Sequence, residues 1–455
     1  MPDPPDLFDR RRVAAAIAIL PFATVAASRI DPVSPLVVDS FAAIAATVTN
    51  GAATVRTRGW DSPGIGAADY RLIARAPDSG PSRSVIVSRD GHCYALADSG
   101  PVEVDRFGAI GNDQTNDREA IQAAIAHWQN VGGTLAFTAG RRYFVGTYSD
   151  HVSRIFMIDH LRDATIDGRG ARLRAHSAGD RCQTYLFTFR DFRNLTIRSL
   201  AATDTGTNIN VEWRGLYFVS PDANLGSCEN LLIEDVTVTD AVAFLYVAGT
   251  LSQRVRGIRI VRSTALRCYY GMVFAENGDD VHATLKTRGC RRSYFAYGIT
   301  NHHIRLEVEH DGASPGADAC CLIKRYFFDT HKIVLAITLK GSAARFANLV
   351  KIEHQPAPGT IARVDDISVT FDIRHAFDLA NVVGVGFSSY AKNVLEAGPT
   401  HNVWSNITIS GDIDRAGTPF RFYSLPPTPV VVYLKGRAAK ASVPAAPGFT
   451  IVRQR

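Results

Sequence analysis

The sequence predicts an all-β fold, a parallel solenoid with one α-helix capping its N-terminal end, and three observations carry that expectation. First, from about residue 185 onward two kinds of short apolar run take turns along the chain. One kind begins near a glycine and carries aromatics: GLYFVS (215–220), AFLYVAG (243–249), GMVFAEN (271–277), YFAYGITN (294–301), CCLIKRY (320–326), NLVKIEH (348–354) and VVGVGFSSY (382–390). The other alternates strictly between apolar and polar: NLTIRSL (194–200), NLLIEDVTV (230–238), GIRIVRS (257–263), DVHATLKT (280–287), HIRLEVEH (303–310), KIVLAITLK (332–340), DISVTFDI (366–373) and NITISGDI (406–413). Second, aligning Ile233, Ile260, Ala283, Leu306, Leu335 and Val369 gives intervals of 27, 23, 23, 29 and 34 residues. Two strands per unit of some twenty to thirty residues, with turns of variable length, is the pattern of stacked solenoid coils. Alternation then sends Ile, Leu and Val inward and Arg, Thr, Asp and Glu outward. Third, one capped amphipathic helix precedes all of these strands, where an open solenoid end needs covering.

Taken from the N-terminus, residues 1–28 read as an export signal. Arg10-Arg11-Arg12 precedes VAAAIAILPFATVA, and Val25-Ala26-Ala27 offers small residues for cleavage before Ser28. The apolar run is too short for a comfortable membrane span, which disfavours an anchor, and no later segment is long and apolar enough to cross a bilayer. Residues 29–101 form a looser strand-and-turn module. Asp39 or Ser40 can cap a short helix through Phe41-Ala42-Ala43-Ile44, and YRLIARA (70–76) and SVIVSRDGHCYAL (84–96) follow among Pro, Gly and Ser. The solenoid is expected over 102–425, with its capping helix near 116–130. Ala120, Ile121, Ala124, Ile125 and Trp128 make a single apolar stripe at helical spacing. Asn116 is the expected cap, Glu119 completes a capping box, and Gly132-Gly133 ends the helix. Residues 426–455, with VVVYLKG and FTIVRQR, supply edge strands that close the far end.

The string VDRFGAIGNDQTNDREAIQAAIAHWQNVGGTLAFTAGRRYFVGTY (104–148) resembles the opening of the pectate-lyase-superfamily β-helix proteins. The resemblance is carried by Phe107, Gly108, Ala109, Gly111, Thr115, Asp117, Ala120, Ile121, Gln122, Ala124, Ile125, Gly132, Gly133, Ala139, Gly140 and Tyr143. Asn112-Asp113 stands where that family has Asp-Gly, and Thr138 where it has Pro. The resemblance implies a right-handed single-stranded parallel β-helix, with the small module of 29–101 like the one preceding the helix in tailspike-like relatives. It also implies an exported protein acting on polysaccharide, as a monomer or a homotrimer.

Composition adds bounds. A net charge of +6 over 455 residues is mild. Arg198, Arg254, Arg256, Arg259, Arg262, Arg267, Arg288, Arg291 and Arg292 crowd the alternating strands; this is either a solvated outer face or a surface for an anionic polymer. Nucleic acid is disfavoured, because no basic module interleaved with aromatics is present. Seven cysteines leave at least one unpaired. Cys268 and Cys290 lie about one coil apart, and buried thiols are favoured over a disulfide between them. No spacing resembles a metal site of the zinc type.

In a solenoid, residues some 25 positions apart converge on one face, so the site is sought among polar groups stacked on the aromatic strand set. If Val273 and Ala275 point inward, Phe274 and Glu276 point outward; likewise Lys324 and Tyr326 flank an inward Ile323, and Lys351 and Glu353 an inward Ile352. Glu276, Tyr297, Lys324, Lys351 and Glu353 are then candidates for one ridge, with Asp279, Asp280, His302, Arg325 and His354 in adjoining turns, and Tyr294 and Tyr326 as sugar-stacking rings. The plain alternatives are a turn at 276–280, a carbonyl-satisfying corner at His302-His303 and a surface ion-pair ladder from Lys324-Arg325 to Glu353.

Two mechanisms fit these residue types. β-Elimination from a uronate chain needs a base, an acid and cations on the developing charge, roles for Lys324, Arg325, Lys351, Tyr297 and Tyr326. Hydrolysis needs two carboxylates, drawn from Glu276, Asp279, Asp280 and Glu353. The related polygalacturonases and rhamnogalacturonases carry Asn-x-Asp, Asp-Asp, Gly-His-Gly and Arg-x-Lys on successive coils; only Asp279-Asp280 has a counterpart here, so their catalytic residues do not carry over. A lyase is placed ahead of a hydrolase, followed by a non-catalytic glycan-binding spike and a uronate epimerase. No cofactor is required, calcium being the one a lyase would bring, and no metal ligands are assigned.

Overall fold

The structure, a computed structural model, describes residues 34–454 apart from 78–79, 81, 98–99, 150–151, 179–182, 207–216, 220–226, 249–254, 276–277, 312–316, 326–328, 344–345, 355–361, 375–378, 380, 390–401 and 424–429. The run of strands forms two parallel sheets that face each other across one core. The long sheet stacks Leu161–Ser177, Phe192–Asp204, Cys228–Glu234, Val255–Leu266, Asp279–Arg288, Thr300–Asp311, Thr330–Ala343, Ala362–Ile373, Asn402–Gly411, Val430–Lys435 and Phe449–Gln454, in chain order. The short sheet stacks Val152–Ile158, Gln183–Phe189, Tyr217–Val219, Ala243–Ala248, Tyr270–Ala275, Arg292–Tyr297, Cys321–Arg325, Asn348–His354, Val383–Ser389 and Thr418–Phe422. As far as Val430–Lys435 each coil gives one strand to each sheet, pairing with the equivalent strand of the next coil, and Phe449–Gln454 then extends the long sheet alone.

Inside, like positions stack on like. Ile233, Ile260, Ala283, Ile304, Leu335, Val369 and Ile409 follow one another in register, and all are buried. The column expected from the sequence had Leu306 in place of Ile304. Both point inward, because a slip of two residues preserves the face. Burying each such side chain contributes about 1.5–3 kcal/mol, repeated coil after coil.

The corner that opens each long-sheet strand explains the Asn, Asp and Gly punctuation. Asp163, Asn194, Asn230, Asp280, Asn301, Lys332, Asp366 and Asn406 all have φ between 50° and 59°, and Gly257 in the same column has φ 69°. Asn and Asp tolerate this left-handed conformation better than other side chains. They also bond across coils, Asn194 Nδ2 to Asp163 Oδ1 at 2.6 Å, Asn230 Nδ2 to Asn194 Oδ1 at 2.8 Å and Asn406 Nδ2 to Asp366 Oδ1 at 3.0 Å.

The capping helix is Arg118–Val131, and it buries Ala120, Ile121, Ala124, Ile125 and Trp128. Its N-cap is Asp117 rather than Asn116. The Asp117 carboxylate turns away from the helix to accept the amides of Ile110 (2.7 Å) and Gly111 (3.1 Å), which fixes the preceding Gly-Asn-Asp turn. Asn116 Oδ1 accepts from Arg118 N, at 3.1 Å. Trp128 closes the other end, donating from Nε1 to Gly133 O at 3.0 Å. Ahead of the β-helix, Leu36–Val38, Thr54–Thr57, Asp69–Ile73, Val85–Val87 and Cys93–Leu96 form a separate small sheet. Ser40 caps the helix Phe41–Ala46 there by accepting from Ala43 N at 3.2 Å. The described cysteines Cys93, Cys228, Cys268, Cys290, Cys320 and Cys321 are free, and all but Cys93 are buried; Cys182 lies outside the described residues. Among the described residues no helix is long and apolar enough to cross a membrane.

Candidate functional site

The outer face of the short sheet brings a compact set of charged groups together. In Cys321–Arg325 and Asn348–His354 the residues Ile323 and Ile352 are fully buried and adjacent in register, so their neighbours Lys324, Lys351 and Glu353 face outward. Glu353 is nevertheless only 3% exposed. A carboxylate that buried needs compensation, and two ammonium groups supply it. Lys324 Nζ lies 3.1 Å from Glu353 Oε1 and Lys351 Nζ lies 2.9 Å from Glu353 Oε2. Tyr297 is the coil neighbour of Lys324 on one side, and Ser388 is the coil neighbour of Glu353 on the other.

Four further residues complete the face, of which only Arg292 was named from the sequence, among the arginines of a candidate anion-binding surface. Asp318 Oδ2 stands 3.9 Å from Lys351 Nζ, and Arg292 forms an ion pair with Asp318 Oδ1. The guanidinium of Arg292 also sits over the rings of Phe295 (5.2 Å) and Tyr270 (5.7 Å), a favourable cation–π placement. Tyr423 lies on the last short-sheet coil, with Lys351 Nζ 5.7 Å from its ring centre; Ser388 is the fourth. One ammonium group thus touches two carboxylates, Glu353 and Asp318. They stand no further apart than those two contacts laid end to end, which is below the upper limit of roughly 9.5 Å for paired carboxylates on a glycosidic bond.

The other candidates fall elsewhere. Tyr294 and His302 are corrections to the expected surface: both are fully buried in the core. Tyr294 OH lies 2.9 Å from His302 Nδ1, and His302 Nε2 lies 2.8 Å from the carbonyl of Gly278. A carbonyl only accepts, so Nε2 carries the proton and Nδ1 accepts from the phenol. Burial pushes the His302 pKa down from 6.5 to about 3. Phe274 packs edge-on against this imidazole at 4.7 Å; it is inward, while Val273 and Ala275 join the outer apolar cluster with Tyr246. That reverses the phase expected for 271–277. Asp279 begins a long-sheet strand. Asp280 is exposed at the left-handed corner, accepting from Asn301 Nδ2 at 3.0 Å and 3.3 Å from His282 Nε2, apart from the lysine cluster. Glu276 and Tyr326 lie outside the described residues, as do the side chains of Arg325 and His354, whose backbones pair at the strand ends. Among the described residues no group of three or more His, Cys, Asp or Glu side chains gathers to hold a metal.

The architecture has relatives among solved structures. The enzymatically active domain of tailspike protein 2 from bacteriophage CBA120 matches with a TM-score of 0.52 at 12% identity, over 88% of this chain and 57% of that one. The fold shared with that structure is the right-handed parallel β-helix. This β-helix therefore spans little more than half the length of that relative. Looser likenesses are to the tailspike protein gp49 of Acinetobacter baumannii bacteriophage Fri1, a capsular polysaccharide depolymerase (TM-score 0.46, 10% identity, 92% of this chain and 76% of that one), and to the A-module of the Azotobacter vinelandii mannuronan C-5 epimerase AlgE6 (TM-score 0.30, 16% identity, 78% and 99%). No protein-family model and no curated protein matches the sequence.

Proposed function

We propose that this β-helix is an exported, polysaccharide-active enzyme that lays an acidic glycan along the outer face of the short sheet and cleaves it by β-elimination. The observation that carries the reading is the Lys324–Glu353–Lys351 cluster. Among the described residues of that face, Arg292, Lys324 and Lys351, with Arg421 next in register beyond Gly386, outnumber Asp318 and Glu353, which complements an anionic chain. In the reaction a base removes the proton α to a uronate carboxylate. The C–H electron pair becomes the new C=C bond, and the neighbouring C–O bond breaks with its pair leaving on the glycosidic oxygen, which takes up a proton. Lys324 and Lys351 are assigned to the substrate carboxylate and the charge that develops on it, since each is already held as a cation against Glu353. Tyr297, beside Lys324, is assigned as the proton carrier.

A second reading is hydrolysis by Glu353 and Asp318, favoured by the single ammonium that touches both. One experiment separates the two. The protein and its Lys351→Ala and Glu353→Gln variants are incubated with acidic and neutral polysaccharides while unsaturated uronates and reducing ends are followed together. Elimination gives both signals, and either substitution lowers kcat/KM by on the order of 10²-fold. Reducing ends alone mean hydrolysis. Glycan binding with neither signal overturns cleavage in favour of a binding spike or an epimerase.

A further inference from the structure

We infer that Tyr423 is a built stacking platform that holds one acidic pyranose beside the lysine cluster, an inference that rests on and deepens the proposed function. Tyr423 is an aromatic ring left 44% exposed, yet it is tethered. Its hydroxyl donates to Asn348 Oδ1 at 3.0 Å, and Asn348 is itself buried, donating from Nδ2 to Asp318 O at 2.7 Å. The ring leans across a notch made by Gly386, which lies between Lys351 and Arg421 in the cross-strand register. A Cβ on Gly386 would come 2.3 Å from Asn348 Oδ1 and 2.8 Å from Tyr423 Cε2, so the missing side chain is what lets the ring lie there. Two cations lie over the ring at cation–π distance, Lys351 Nζ at 5.7 Å and Arg421 Cζ at 5.8 Å from its centre.

Each feature points to the same ligand. The face of an aromatic ring is electron-rich, and the axial C–H bonds of a pyranose present a weakly positive apolar face to it. A fixed ring also loses little conformational entropy on binding. The two cations select a sugar that carries a carboxylate or another anion next to the stacked face. Through Asn348 and Asp318 the platform is joined to the groups around Lys351, so a sugar on Tyr423 sets the register of the chain over Glu353.

Hexasaccharides of galacturonate, mannuronate and glucuronate-containing hyaluronan, with maltohexaose as the neutral control, are titrated calorimetrically into the full chain and into Y423A, Y423F and G386A. Melting temperatures are read alongside. Expected is binding of an acidic hexamer that weakens on the order of tenfold in Y423A, an effect of the size that aromatic contacts of this kind carry. Y423F, which keeps the ring, stays within a few-fold, and G386A weakens binding with every functional group still present. Unchanged affinity in Y423A, equal binding of maltohexaose, or no binding of any hexamer to the unaltered protein overturns the inference. If binding depends on Tyr423 but no polymer is cleaved, the platform stands and the cleavage reading fails. If Y423A cleaves with unchanged kcat/KM, the reverse holds.

Discussion

His302 shows how a residue that looks reactive in the sequence is consumed by the core. Both ring nitrogens are committed, one to Tyr294 and one to the Gly278 carbonyl, and burial holds the imidazole neutral, with its pKa lowered to about 3. The unfolded chain takes up a proton near 6.5 that the folded one refuses. Stability is therefore present in full above about pH 6.5 and falls as pH drops towards 3, at up to about 1.4 kcal/mol per pH unit for one proton. Unfolding midpoints measured between about pH 7 and pH 4 are expected to fall more steeply in the wild type than in His302→Gln; parallel curves would remove His302 from the account. The sequence does not distinguish this histidine from a surface one. In YFAYGITN aromatics occupy both phases of the strand, so alternation leaves open whether Tyr294 or Phe295 is inside. Lys324, Lys351 and Glu353 were readable because Ile323 and Ile352 fix the phase beside them. Asp318 was not, because it precedes its strand and reaches Lys351 only through coil stacking.

At the scale of elements, the capping helix was legible nearly residue by residue. Its apolar stripe and its Gly-Gly stop are local signals, and the five stripe residues are the ones it buries. The cap itself was read one residue early, because Asp117 spends its carboxylate on the Ile110 and Gly111 amides instead of on the helix. Trp128 is the largest fully buried side chain among the described residues, and it sits where the core would otherwise end in solvent. Trp128→Ala is expected to destabilise by about 3–5 kcal/mol, seen as a lower denaturation midpoint. Association should rise as well, because the first coil is uncovered. A midpoint within error of wild type would mean that the helix is not what seals that end.

Over the whole molecule, stability is a sum of stacked coils, each contributing its inward Ile, Leu and Val to the next. The thiols follow from this. Cys228, Cys268, Cys290, Cys320 and Cys321 lie within the stack, and desolvation pushes the Cys228 thiol up to about 12. Thiolate formation and access both control reaction with a disulfide reagent, so five of the seven thiols should stay silent in the native protein and titrate only on unfolding. Early reaction of more than two would show that the coils open locally.

By itself the sequence determined the class of fold, the capping helix and the two alternating strand sets, because solenoid coils repeat one local pattern and that periodicity is written in neighbouring residues. Tertiary structure alone decided the register between coils and the phase of the strands that are apolar on both faces. It also decided that Asp318 and Tyr423 join Lys324, Lys351 and Glu353. Those contacts span tens of residues through turns of unequal length, and strand pairing, not local propensity, sets which side chains become neighbours.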